Sequence, residues 1–329
     1  MGRHGVSGTV RPRTVVIAML VLVLIAAALV AVWVLPGLRD TDGVRLAELP
    51  AGKSVGLAGV FPSGDGTRLA GPRGIVIDDL RVYVAEADAG RVSVFSLTGA
   101  RLGEITIDPS EGQARSVPTN LALDAAGRLA VVEAAGSRVL LFSVDDLDAV
   151  ELVTEIDLES ATAMEVQPGA IAFRNGVLHV TDSLSRSVLM YNEDGVFAGS
   201  LGQGVEPALF YPGGIAFLGR GVALTSTNDA RVLVLGDAGD EVVRDLAGEY
   251  VFPGGLVALD DASLAVADAL KPAVYVLDAS GRVSHLIDAG TISGEAPIRP
   301  EALAWHARDE RLYVTDSRRG AVLIFNIKR

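Results

Sequence analysis

One phrase recurs six times along this 329-residue chain: a proline, two mostly small residues, an alternating apolar run, then an acidic residue, a polar turn and a second apolar run. The copies open at Pro72, Pro118, Pro168, Pro212, Pro253 and Pro300, at intervals of 46, 50, 44, 41 and 47 residues. A period near 45 suits a four-stranded propeller blade or a helical array, and alternation with period two selects strands. The second halves align without a gap: Tyr83 to Phe95, Ala130 to Phe142, His179 to Tyr191, Ala223 to Leu235, Ala265 to Leu277 and Tyr313 to Phe325. Each is two Val- and Leu-rich strands around a loop of Asp, Ser, Asn and Gly type, which marks a hairpin. A preceding strand such as Gly214–Phe217 and a following one within Asp278–Leu286 complete four antiparallel strands. The expected fold is an all-β, six-bladed β-propeller.

The combination of proline, glycine, apolar inner strand, "Val-Thr-Asp-Ser" and "Arg-Val-Leu-Val" resembles the NHL repeat of six-bladed propellers, from roughly residue 44 to residue 329. Leu201-Gly-Gln-Gly204 followed by Phe210-Tyr-Pro212 is similar to that family's glycine-rich approach to the next blade. The pattern departs at Ser226, where other copies are acidic, and at Ser187, Ala273 and Ala321, where others carry arginine. No Gly-His and Trp-Asp pair of the WD40 type occurs.

Ring closure is expected from the chain ends. The sixth copy stops after its third strand, and Gly43-Val-Arg-Leu-Ala-Glu-Leu49 matches Gly99-Ala-Arg-Leu-Gly-Glu-Ile105, the outer strand of blade one. Residues 43–49 are therefore expected to pair with blade six, burying edges that would otherwise invite aggregation. The propeller domain then spans 43–329. With aromatics at 5% of the chain, its sheets must be packed by Val, Leu, Ile and Ala.

The N-terminus has a different character. Residues 14–35 carry no charge, and as a helix rising ~1.5 Å per residue they span the ~30 Å core of a bilayer. Arg3, Arg11 and Arg13 precede this stretch without an acidic residue, which places segment 1–13 in the cytoplasm and the propeller outside, joined by a linker at 36–42. The apolar run is long for a cleaved signal peptide, so an uncleaved signal-anchor is expected.

Charge and composition exclude several functions. Residues 1–38 hold three of the 28 basic side chains and none of the 41 acidic ones, leaving 25 against 41 beyond them, a balance of −16. Nucleic-acid binding needs clustered Lys and Arg, so no nucleic-acid partner is expected. With no cysteine there is no disulfide, thiolate nucleophile or cysteine metal site. No Gly-x-Ser-x-Gly elbow or P-loop occurs.

A residue repeated in every blade maintains the blade, whereas one that breaks the repeat is free to serve a ligand. Glu86, Glu133, Asp182, Asp268 and Asp316 recur, and they are expected to accept backbone hydrogen bonds in their own loops. After the proline, blades three, four and five read Gly-Ala, Gly-Gly and Gly-Gly. The other blades read Arg73-Gly74, Thr119-Asn120 and Glu301-Ala302. Arg73, Asn120 and Glu301 are expected to converge on the mouth of the central channel, with His306 the histidine nearest them. Arg73 would bind a carboxylate or phosphate, or pair with Glu301. His179 stands where other copies have tyrosine and is expected to be a packed ring. Zinc chemistry would want about three converging histidines, and the chain has four in all, at 4, 179, 285 and 306.

Pro300-Glu-Ala-Leu-Ala-Trp-His306 with Leu312-Tyr-Val-Thr-Asp316 also resembles the opening blade of six-bladed lactonases. That resemblance implies a divalent cation such as Ca2+ at the mouth, with Glu301 and Asn120 as oxygen ligands. The order departs from that family, since Glu301 follows its proline rather than preceding a Gly-Pro pair. Two functions are therefore expected to compete. One is a membrane-anchored extracytoplasmic scaffold that binds an envelope protein or peptide through unequal loops such as Asp108 to Val117 and Ser160 to Gln167. The other is a metal-dependent lactonase or hydrolase.

Overall fold

A computed structural model describes residues 55–62, 68–246, 248–288 and 297–328. They form six four-stranded antiparallel sheets. Blade one runs Pro72–Ile77, Arg81–Glu86, Arg91–Ser96 and Arg101–Thr106 from inside to outside. The inner strands of the others are Pro118–Leu123, Pro168–Arg174, Pro212–Leu218, Pro253–Ala258 and Pro300–His306. Each inner strand contacts the next, and that of blade six returns to that of blade one, so the ring is closed. The described residues constitute a six-bladed β-propeller.

Alternation explains why the middle strands read as nearly continuous apolar runs. In Arg81–Glu86, Val82 and Val84 enter the core shared with blade six, while Tyr83 and Ala85 enter the core shared with blade two. Both faces of the sheet are thus covered. The same division places an apolar cluster in each of the six seams. Full burial of one such Val, Leu or Phe side chain contributes roughly 1.5–3 kcal/mol, so the seams need few aromatic rings.

Blade six is completed from the other end of the chain, by a strand that differs from the expected one. Val55–Phe61 pairs antiparallel with Ala321–Ile327, from Val55 opposite Ile327 to Phe61 opposite Val322. This strand takes the place expected for residues 43–49, which lie outside the described residues along with the expected span 14–35 and linker 36–42. The match between 43–49 and 99–105 misled because outer strands are largely exposed and carry little apolar pattern. Spacing is the better guide: the outer strands starting at Val55, Arg101, Glu151 and Val283 all begin seventeen residues before the next repeat proline, and those starting at Phe197 and Val242 begin fifteen and eleven before it. Among the described residues no helix is long and apolar enough to cross a membrane.

A short helix, Leu158–Thr162, interrupts the approach to blade three, and the strand pattern gives no sign of it. Asp157 caps it by accepting from Ser160 N at 2.9 Å, and this bond holds the Asp157 carboxyl below the usual carboxylate range.

Candidate functional site at the channel mouth

The repeat proline opens an irregularity that shapes the mouth. Pro72 faces Glu86, but Ile75 faces Val84, so the inner strand gains one residue over its partner. The same one-residue bulge follows the proline in all six blades. It turns the second residue after the proline toward the neighbouring blade, and in blade five it leaves the first facing open space. A Cβ on Gly255 would lie 2.5 Å from Glu301 O and 2.8 Å from Ala302 Cα, whereas one on Gly254 would meet nothing within 4 Å.

The repeated carboxylates hold this geometry, as their position in the repeat implies. Asp268 accepts from Leu270 N and Lys271 N in its own loop, and from Val251 N and Phe252 N in the segment approaching the blade. Asp182, Asp316 and Glu133 make the same two-sided clamp. Glu86 accepts from Ala70 N, Arg91 and Ser93. Burial opposes the Glu86 charge, but these bonds win and draw its pKa below the ordinary glutamate value. Ser226 keeps half of the clamp, accepting from Phe210 N at 2.8 Å. The residue after each clamp donates its N–H to the pre-proline carbonyl, so approach segment and hairpin loop form one upper face.

Threonines that the repeat did not single out tie blade to blade. Thr315 accepts from Ala302 N at 2.9 Å and donates to Arg73 O of blade one at 3.0 Å. Thr225 likewise links Gly214 N at 2.6 Å to Gly254 O of blade five at 3.0 Å. The signal was present in "Val-Thr-Asp-Ser", where threonine directly precedes the clamp.

Of the expected site residues, the structure unites two. Arg73 Nη1 lies 3.0 Å from Glu301 Oε2 across the seam between blades one and six, and the Arg73 side chain is 49% exposed. Glu301 Oε1 accepts from Ser317 Oγ at 2.6 Å and lies 3.4 Å from Arg299 Nε. Asn120 occupies the second position of its bulge, and its oxygen turns toward the blade-three seam. It accepts from Leu121 N at 3.0 Å and Ile171 N at 3.5 Å. Both oxygens of Glu301 and that of Asn120 thus already engage protein donors, rather than converging as a hard cation requires. Among the described residues no three His, Cys, Asp or Glu side chains are grouped to hold a metal ion.

His306 is not at the mouth. It ends the strand that Glu301 nearly begins, and six steps of about 3.3 Å place it about 20 Å from Pro300. It is buried, with Nδ1 3.3 Å from Asp309 Oδ2 but off the line of a hydrogen bond. Nearness in sequence to Glu301 concealed this distance. His179 is a packed ring as expected, edge-on to Phe217 at 5.0 Å, and burial lowers its pKa. His285 bonds the Lys328 carbonyl across the seam between blades five and six.

The upper face has a second, apolar sector. Met164, Leu184, Phe210, Tyr211, Val251 and Leu270 are exposed there, all on loops of blades three, four and five. The sequence signal was an apolar residue inside an otherwise polar hairpin loop, as in Ser183-Leu-Ser-Arg186.

The site is therefore the mouth of a six-bladed propeller, polar on one side and apolar on the other. No protein-family model matches the sequence, and no curated protein matches it. Among solved structures the chain is similar to a streptogramin B lyase, with TM-score 0.58 and 11% identity over 80% of this chain and 95% of that one. It is also similar to virginiamycin B lyase from Staphylococcus aureus, with TM-score 0.55 and 14% identity over 84% and 100% of the two chains. A structure of the nidogen/laminin complex matches with TM-score 0.52 and 19% identity over 66% and 79%. At these identities the likeness is one of fold.

Proposed function

We propose that this chain is a membrane-anchored, extracytoplasmic propeller of NHL type that acts as a scaffold for a protein or peptide of the cell envelope. The observation that carries the proposal is the division of labour at the mouth. Residues common to the blades are consumed by backbone clamps, whereas Arg73 and the apolar loop residues of blades three to five, which do not recur, stand exposed on one face. The uncharged stretch 14–35 behind three arginines supports the anchor, and the balance of −16 argues for a partner other than nucleic acid. A propeller fold that occurs in a complex named for two proteins is consistent with such a role. Lyase chemistry finds less support, because the three described histidines lie in different blades and none stands at a post-proline bulge of the mouth.

Photo-cross-linking on intact membranes tests the scaffold, with the cross-linker placed in the 108–117 and 160–167 loops. A specific partner captured from these positions is expected, and a failure to capture any overturns the proposal. The metal-dependent lactonase requires Glu301 to leave Arg73 for a cation. Melting the full-length chain in Ca2+ and in chelator should give the same midpoint, and a reproducible rise in Ca2+ favours the hydrolase.

A further inference from the structure

We infer that the upper face takes an extended peptide whose apolar side chain lies on Phe210 and Tyr211 and whose carboxylate reaches Arg73 and Arg299. This deepens the scaffold proposal and rests on it. Three observations point to such a ligand.

The first is asymmetry. The exposed large apolar side chains of the upper face all lie on blades three, four and five; none lies on the described upper loops of blades six, one and two. Apolar groups gathered on three consecutive blades mark an interaction surface rather than random exposure.

The second is Tyr211. It holds φ +57° immediately before a proline, in the left-handed region that L side chains rarely adopt. Blade one solves the same pre-proline position with Gly71 at φ +62°. A side chain in this conformation costs on the order of 1 kcal/mol or more. The ring is 43% exposed, so its burial does little to offset that cost. Folding alone would favour glycine here, yet the position holds a tyrosine, presented to solvent beside Phe210. One face of Phe210 is covered by Arg186, whose guanidinium carbon lies 4.6 Å from the ring centroid.

The third is charge. Arg73 and Arg299, each about half exposed, share the single carboxylate of Glu301. The trio carries an excess of one positive charge, which matches one carboxylate. A phosphate dianion would feel Glu301 more strongly. Between the two sectors the rim is glycine, and the open space at Gly254 admits a peptide backbone close to the strand.

The test is a positional-scanning array of extended twelve-residue peptides, probed with the full-length chain in mild detergent. Retained peptides are expected to combine an aromatic or aliphatic residue with Asp, Glu or a free C-terminal carboxylate. Tyr211→Gly should keep or raise the melting temperature while weakening retention at least tenfold. Arg73→Met should weaken retention of the acidic peptides and remove its dependence on salt. Retention of basic or phosphorylated peptides only, retention of none, or indifference to both substitutions would overturn the inference. So would a dimer in sedimentation that Tyr211→Gly dissolves, since a second copy would then be the occupant. A partner cross-linked from the upper loops but unaffected by both substitutions defeats this inference and leaves the scaffold standing; capture of no partner defeats the scaffold.

Discussion

Blades six, one and two differ from blades three, four and five at the residue that directly follows the repeat proline. The first arc carries Glu301, Arg73 and Thr119; the second carries Gly169, Gly213 and Gly254. The bulge is shared by all six blades, and in each a clamp residue accepts from the approach segment, though Ser226 of blade four keeps only half of the clamp. The difference teaches that the frame does not need those side chains, since half the ring closes without them. In blade five that position is free to hold a side chain, whereas a Cβ on Gly169 or Gly213 would lie 2.6 Å from Thr181 Oγ1 or Thr227 Oγ1.

If the frame is common to both arcs, breaking its clamp should be equally damaging in either. Asp268→Ala would strand four backbone N–H groups, and Asp316→Ala three together with the Arg319 guanidinium. Each unsatisfied donor costs about 1–3 kcal/mol where water cannot reach it. Both variants are expected to lose at least about 3 kcal/mol in urea unfolding, and Ser226→Ala only about 1 kcal/mol, because that blade already works with half a clamp. Losses in the two arcs that differ by more than about 2 kcal/mol would break the comparison.

Neighbouring glycines in blade five sharpen it next. Gly255→Val drives a side chain into the Glu301 carbonyl and should cost about 3 kcal/mol, near the upper end for overpacking. Gly254→Ala meets open space and should stay within about 0.5 kcal/mol. If both are costly, the position after the proline is not free in blade five either.

The arcs should also respond to acid at different pH. His179, in blade three, has a folded pKa below its ordinary value of 6.5 because burial disfavours its charge. The unfolded chain then binds the extra proton, so stability is full above pH 6.5 and falls as the pH drops from there toward the folded pKa. Glu86, in blade one, has a folded pKa below 4.5. Its contribution is full above pH 4.5 and is lost as the pH falls through the folded value. Unfolding midpoints measured from about pH 7.5 to about pH 3.5 should show the two declines in that order. His179→Tyr, which adopts the residue of blades one and six, should flatten the first, and Glu86→Gln the second. A first decline that survives His179→Tyr would assign it to another group.

The blades were legible because their signals are local and repeat: a proline before each bulge, a carboxylate at each tight loop, and alternation over both covered faces. The closing strand is read too early from sequence because exposed outer strands such as Arg101–Thr106 carry few apolar residues to align. At the mouth, Arg73 and Glu301 could be paired from the repeat, since both follow the proline directly. Asn120 could not be placed, because the bulge turns the second position into the seam, and simple alternation does not register that turn. Nor could the left-handed Tyr211 be seen in the sequence, where Phe210-Tyr-Pro212 reads as an ordinary approach to a strand.

A further small effect on stability bears most directly on the polar arc. Arg73→Met removes the ion pair to Glu301 across the seam that joins the last blade to the first. A structural staple there should be costly to lose. The geometry argues otherwise: the guanidinium is half exposed, and pairs of that kind contribute about 0–1 kcal/mol and are screened by salt. The seam is held instead by the relay from Ala302 through Thr315 to the Arg73 carbonyl, by Tyr313 Oη donating to the Leu97 carbonyl at 2.9 Å, and by the apolar cluster beneath. Replacing the arginine side chain leaves every one of these in place. The expected loss is below about 1 kcal/mol in low salt and smaller still in about 0.5 M NaCl, measured by urea unfolding alongside Thr315→Val, which should cost more. A loss of several kcal/mol that persists in high salt would make Arg73 part of the frame, and the two arcs would then differ in how they are held together rather than in what they present.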